Sequence, residues 1–460
     1  MKADFTRNTF DPLKHFTRVL MQQGRVQLDA DWNEQTAILL HNLQALAADL
    51  IGPHGGPSDN CGFRITQASG DPFNVQIGNG HYYIDGVLCE NEGKRDGTNF
   101  SYRLQPNYPP DKDQQTLTEG SWLIYLDVWE RHLTYIEVES PDNSVISIRE
   151  VALGGPDTAT RAQIVWQVKV MRGEKCLSSQ ELNQIFQPAQ RGRLKARAKQ
   201  ESKPTDPCLS PPDARYRRTE NQLYRVEIHQ GGTAWNGVEA PPENAATFKW
   251  SRENGSVIFP IVGGAGTKIL TLENLGRDDR FGLKEGDWVE VQDDDYILHN
   301  RAGKLRQVRL IDRVSMTVTL NDTTDQNVGK DPAKHPLLRR WDHKERTKTE
   351  GRPQLADDGT ALIEEGKWLS LEDGVQIQFQ SSGNNNRPNS YRTGDYWLIP
   401  ARTATGDVEW PGPVGDPVAL PPHGVVHHYA PLAVIALGAS GNVTVQRDCR
   451  YKFDTLAKPM

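Results

Sequence analysis

Hydrophobic positions from Phe73 onward fall two apart. In FNVQIGNGHYYIDGVLCEN, Val75, Ile77 and Tyr83 alternate with polar neighbours, which is the period of a half-buried strand. Asp85 and Gly86, between Ile84 and Val87, form a two-residue hairpin signal, because the turns that suit twisted strands need residues tolerant of positive φ. GSWLIYLDVWERHLTYIEVES (Gly120 to Ser140) reads as two long strands and Ala162 to Val170 as another. Further strands are expected at Leu223–His229, Thr247–Ile261, Gly286–Val291, Leu305–Ile311, Met316–Leu320, Trp368–Phe379, Tyr391–Arg402 and Pro431–Leu437.

One segment has the other period. Trp32, Leu39, Leu43, Leu46 and Leu50 recur at spacings of seven, four, three and four, a heptad seam. Asp31 is placed as the helix cap with Glu34 as its capping-box partner, and Gly52 with Pro53 as the stop. Such a helix either lies on its own domain's sheet or docks on a helix of another subunit. The fold expected is mainly β, several small β-sandwich or barrel-like modules preceded by one long N-terminal α-helix. Its divisions are an arm and docking helix over 1–55, a β-rich module over 56–190, a basic Pro-rich linker over 191–222, and β modules over 223–345 and 346–460. GSWLIYL at Gly120, GDWVEV at Gly286 and GDYWLI at Gly394 each set Gly and a small polar residue before an aromatic strand. That echo is either common turn chemistry or a repeated module anchored by one Trp.

Composition changes the picture little. With 53 Lys and Arg against 60 Asp and Glu the net charge is −7, which does not ask for nucleic acid or a membrane surface. The apolar run Ala430 to Leu437 carries Pro431 and is far short of the ~20 residues a spanning helix needs. The opening residues show no apolar signal-peptide core, so the protein is expected in the cytoplasm. The five cysteines, Cys61, Cys89, Cys176, Cys208 and Cys449, are widely spaced without a CxxC and are expected to be reduced.

Candidate chemistry is sparse. There is no HExxH and no GxSxG, and Gly263 to Lys268 has GTK where a phosphate loop needs GKT. Asp293, Asp294 and Asp295 lack EF-hand spacing and read as a solvated loop. His423, His427 and His428 form a weak metal candidate, and neighbouring strand histidines face opposite sides. Asp127, Glu130, Glu137 and Glu139 could serve as glycosidase carboxylates, but the last two alternate with Ile136 and Val138 like a solvent-facing strand. No catalytic residue, cofactor or metal is therefore assigned. Between Arg191 and Arg218 nine Lys and Arg meet three acids. Arg191, Arg193, Lys195, Arg197 and Lys199 sit at every second position, one face if extended. Without interleaved aromatics to stack bases, this strip reads as a solvated linker or a contact to an acidic neighbouring subunit.

Several strings carry a resemblance: QGRVQLDADWNEQ (Gln23 to Gln35), GHYYIDGVLCEN (Gly80 to Asn91), LDVWERHLT (Leu126 to Thr134), VALGGPDTATRAQIVWQVK (Val151 to Lys169), LYRVEIHQGG (Leu223 to Gly232) and FKWSRENGSV (Phe248 to Val257). Up to about Trp341 the chain resembles uncharacterised proteins associated with phage-tail-like contractile injection systems. The resemblance implies a non-enzymatic structural component at the baseplate periphery: a connector, fibre-like or anchoring protein. Its implied partners are other baseplate proteins and copies of itself, without nucleic acid or direct membrane insertion. It would be cytoplasmic and assembled into the particle, with release or membrane association of that particle left open. The alternatives are a glycan-binding β protein, which a groove of exposed Trp would favour, and a glycoside or peptidoglycan hydrolase, which facing carboxylates would favour.

Overall fold

The computed structural model describes all residues except 69, 111–115, 139–146, 154–156, 188–189, 199–214, 238–240, 344–352, 354, 357, 384–388, 414 and 455–460. The chain is mainly β, with its strands in several sheets, and divides into two bodies that are each discontinuous in sequence.

The body formed by Asn8–His132, Ala162–Ala189 and Val425–Met460 is organised on the strand Gly120–Leu133. Successive side chains of a strand point to opposite faces, and here each face meets its own core. Trp122, Ile124, Leu126 and Val128 join Phe63, Tyr82, Trp166 and Leu432 on one side, while Leu123 and Tyr125 join Leu182, Tyr429 and Val434 on the other. Arg161–Arg172 lies along one edge of this strand and His427–Leu437 along the other, in register from Gly120↔Leu437 to Trp129↔His427. Pro431 is accommodated beside the register shift between Pro431 and Ala433, where a missing N–H breaks no regular ladder. A second sheet orders Lys452–Phe453, His54–Pro57, Gly80–Ile84 and Val87–Asn91. Its hairpin turns at Asp85 and Gly86 with φ of 47° and 78°, the geometry the Asp-Gly pair predicts.

The other body, Met1–Arg7, Leu133–Arg161 and Gln190–Gly424, contains a five-stranded sheet ordered Ala361–Leu362, Thr247–Ser251, Gln222–Gln230, Tyr396–Arg402, Asp407–Val408. Leu194–Ala198, Val375–Phe379 and Leu369–Ser370 form a smaller sheet, which shares a core with the larger one around Val226, Phe248, Ile377, Phe379 and Trp397. The six strands Ile258–Gly263, Ile269–Leu272, Trp288–Gln292, Leu305–Asp312, Thr317–Leu320 and Leu337–Trp341 close into a barrel around Phe259, Leu270, Val289, Val318 and Leu338.

Several expectations are corrected. The chain does not open on a helix: the first α-helix is α1, Asp29–Ile51, preceded by an arm whose regular structure is one 3₁₀ turn at Pro12–Lys14. The 191–222 segment is not a solvated linker along its described part, because Leu194, Ala196 and Ala198 are buried and pair with Phe379, Ile377 and Val375. The boundaries drawn in chain order do not separate bodies, since Tyr396–Arg402 pairs with Gln222–Gln230 and His427–Leu437 returns to Gly120–Leu133. The second of the two strands read between Gly120 and Ser140 is a helical turn, Tyr135–Val138. Thr134 starts it: its backbone N–H donates to Glu137 Oε2 at 2.8 Å, and Thr134 Oγ1 accepts from the Ile136 N–H at 3.3 Å. Cys176 and Cys449 form a disulfide across 273 residues, so they are not reduced thiols. No spacing rule reaches across such a separation; the helix Ser179–Phe186 packs on the strand His427–Leu437 and brings the two together. Cys61 and Cys89 are free, and Cys208 lies outside the described residues.

The glycines of the three echoing strings, Gly120, Gly286 and Gly394, all have positive φ, and Trp122, Trp288 and Trp397 behind them are buried. Their strands belong to three differently ordered sheets, so the echo is turn chemistry reused, not one module repeated. Among the described residues no helix is long and apolar enough to cross a membrane.

Reduction of the wild-type protein, or Cys176→Ser, is expected to lower the unfolding free energy of the body that holds the disulfide by about 2–4 kcal/mol, by releasing a long loop in the unfolded chain. Denaturant titration with and without dithiothreitol reads the effect, and the Ser variant should no longer respond to the reductant.

Candidate interaction surface

α1 is built with two unlike stripes. The inner one is narrow: Ala30 and Ile38 are buried, and a neighbouring turn comes up against the helix backbone at Gln44. At Gly86 a Cβ would overlap the backbone carbonyl of Gln44, so only glycine admits the helix at that hairpin. The outer stripe holds Trp32, Leu39, Leu43, Leu46 and Leu50, which are 57–73% exposed, with Leu40 beside them. The heptad seam is therefore not the face that covers the helix's own sheet.

The start of α1 differs from expectation. Leu28 occupies the cap position with extended backbone and no side-chain acceptor, so Asp31 is not the cap but lies with Asp29 in the first turn, where carboxylates favour the helix dipole. Glu34 instead accepts from Thr9 Oγ1 at 2.7 Å, and Gln35 Oε1 accepts from the Val19 N–H at 2.8 Å. These contacts, with the Phe10 ring 5.8 Å from that of His41, hold the arm to the helix. Along the arm Leu13, Phe16, Leu20, Met21, Val26 and Leu28 are exposed. Periodicity missed them because the arm adopts neither a helical nor a strand repeat; their apolar character was the available signal. At the far end Gly52, at φ 91°, donates its N–H to Ala48 O at 2.8 Å and closes the helix as expected.

The basic strip is extended, and its described members are mostly occupied within their own body. Arg191 Nε donates to Asp395 Oδ2 at 3.1 Å, and Lys195 Nζ to Asp416 Oδ1 at 3.1 Å. The Arg197 guanidinium lies 3.8 Å over the Trp368 ring and donates to Gln376. Arg193 is exposed, and Lys199 lies outside the described residues.

The remaining candidates are structural. Asp293 caps the short helix Asp294–Leu298 and accepts the Gly329 N–H at 2.8 Å, Asp294 meets His335 at 2.7 Å, and Asp295 pairs with Lys334. The triplet is thus a set of internal anchors, not a solvated loop. His427 and His428 diverge as strand neighbours do, to Asp127 at 2.6 Å and Asp85 at 2.8 Å. Buried Asp127 also takes Lys169 Nζ at 2.6 Å. Burial alone would raise its pKa, but Lys169 and His427 outweigh that and hold the carboxyl below its ordinary value. Glu137 serves Thr134, Glu130 is exposed, and Glu139 lies outside the described residues. Among the described residues no His, Cys, Asp and Glu group could hold a metal ion. The tryptophans other than Trp32, Trp368 and Trp410 are buried.

A network of buried charges in the barrel-bearing body was not anticipated. Lys249, on the five-stranded sheet, donates to Glu290 of the barrel at 2.6 Å and lies 3.6 Å from Glu227. Glu290 also accepts from Trp341 Nε1 and the Gly303 N–H, each at 2.8 Å, while Glu227 meets Arg225 at 2.6 Å and Lys2 at 3.0 Å. Burial works against both carboxylates, yet the surrounding cations keep their pKa values lowered: Lys2, Arg225 and Lys249 at Glu227, and chiefly Lys249 at Glu290. His229 and His343 are held neutral by burial, with Lys249 and the other histidine adding to it, respectively; their pKa values fall to about 4 and about 3.

Residues 1–193 and 188–459 match a family of unknown function, DUF6519. No curated protein and no solved structure matches the chain.

Lys249→Met is expected to destabilise the barrel-bearing body by about 3–5 kcal/mol, because Glu290 stays buried without its cation. Acidification should act in the same direction. Unfolded histidines take up protons below their ordinary 6.5 while His229 and His343 stay neutral in the fold, so their contribution to stability is complete above that pH and declines beneath it. The decline continues as Glu227 and Glu290 are forced to protonate. Urea midpoints measured across this range would show it, and His343→Gln should make the upper part of the decline shallower.

Proposed function

We propose that this chain, which belongs to the family of unknown function DUF6519, is a non-enzymatic structural component of a phage-tail-like contractile injection particle. In this reading it sits at the baseplate periphery as a connector, fibre-like or anchoring protein. The observation that carries the docking role is the exposed stripe Trp32, Leu39, Leu43, Leu46 and Leu50 on a helix whose inner face is already seated. A contiguous apolar surface of this kind marks a site of protein association. The resemblance of LDVWERHLT, FKWSRENGSV and the other strings supports the choice of particle. The division of labour follows: arm and α1 dock, and the β sheets supply the remaining surface.

Replacing Leu43 and Leu46 together with Ala is expected to change the unfolding free energy by no more than ~0.5 kcal/mol per site, as for surface positions. The same pair should remove the protein from particles purified out of cells that express it. Particles that lack the wild-type chain, or that take up the double variant as readily as wild type, would overturn the role.

A further inference from the structure

We infer that the outer stripe of α1 is covered by the same stripe of a second copy of this chain, an inference that rests on the docking role proposed above. Four observations carry it. The seam keeps heptad spacing: Trp32, Leu39 and Leu46 fall on one of its two inner positions, and Thr36, Leu43 and Leu50 on the other. Its flanks are almost without charge. Asn33, Leu40 and Ala47 line one side and Gln35, Asn42 and Asp49 the other, so identical helices meet no row of like charges. Nor do they offer the charge pattern by which a different helix would be selected. The one polar inner residue, Thr36, already donates its hydroxyl to Trp32 O at 3.2 Å, and covering it orphans no hydrogen.

The fourth observation is one of area. At ~60–120 Å² for a leucine and ~200 Å² for an aromatic side chain, the exposed parts of Trp32 and the five leucines amount to roughly 400 Å². That is about half of the ~800 Å² that each partner of a stable interface buries. The arm supplies further area: Leu13, Phe16, Leu20 and Met21 are exposed in the same body and are tethered to α1 through Thr9 and Val19. Association of two copies therefore uses helix and arm together, and neither suffices alone.

Sedimentation equilibrium of the full chain at micromolar concentration tests this. The wild type should have the mass of more than one chain. Leu43→Asp with Leu46→Asp should be monomeric and folded, with the circular dichroism of the wild type and a melting temperature that no longer depends on concentration, and Phe16→Ser with Leu20→Ser should weaken association about tenfold or more, the loss of upwards of ~1.4 kcal/mol. If the Asp pair fails to fold, Trp32→Gln with Leu39→Gln is read in the same way. A monomeric wild type, or an oligomer that survives the helix substitutions, overturns the inference. A monomeric wild type that still enters particles, and loses entry when Leu43 and Leu46 are changed, overturns this inference alone and leaves the docking role standing.

Discussion

The pairing of Gly120–Leu133 with His427–Leu437 is the interaction on which the rest of the disulfide-bearing body depends. It joins segments three hundred residues apart, as the contact of His427 with Asp127 shows. Both faces of the central strand are buried, so neither core can close until the distant strand has arrived. Non-local pairing of this kind defers its reward until a long loop has been ordered, which makes it slow to form. Once formed it is secured twice more, by the Ser179–Phe186 helix packed on it and by the Cys176–Cys449 bond.

The barrel-bearing body solves a different problem. Its sheet and barrel meet through charges as well as through oil, with Lys249 reaching from one to Glu290 in the other and lying 4.4 Å from the Trp341 ring. Desolvating such groups is expensive, and a hydrophobic replacement of equal volume is often no less stable. What the pair supplies is direction: Glu290 is also bound by Trp341 and Gly303, so only one seating of the barrel strand satisfies every partner at once.

Local signals in the sequence were legible where the physics is local. Asp85-Gly86 had to turn, Gly52 had to end α1, and the alternating apolar runs had to be strands. Thr134 and Glu137 were legible too, as a Thr-x-x-Glu cap, but the β-branched residues around them pointed the other way and the cap prevailed. The basic strip misled because charge density suggests solvation, whereas Leu194, Ala196 and Ala198 between the cations form a buried stripe that was equally visible. Its counter-ions, Asp395 and Asp416, lie some two hundred residues away. The same limit hid the disulfide and the Lys249 network: pair identity over such separations is decided by topology, which no single segment encodes. Of the candidate surface, the seam of α1 was readable as an amphipathic stripe. Which way it faces was not, because the inner stripe, Ala30 and Ile38, carries far fewer apolar residues than the outer seam.

Among the described sheets of three or more strands, the barrel is the one whose strands are consecutive in sequence. All six of its strands fall between Ile258 and Trp341, and the first and last are hydrogen-bonded neighbours, with Ile258 opposite Arg339. The chain thus leaves the surrounding sheet and re-enters it at almost the same place. A segment with this connectivity can be lengthened or shortened without re-threading the sheet around it. Lys249 is one of the tethers that resist such a change, beside the Arg280 pair with Glu253 and the Asn300 bond to Thr393 O, because a sheet without the barrel would have to give up that lysine or find it another carboxylate.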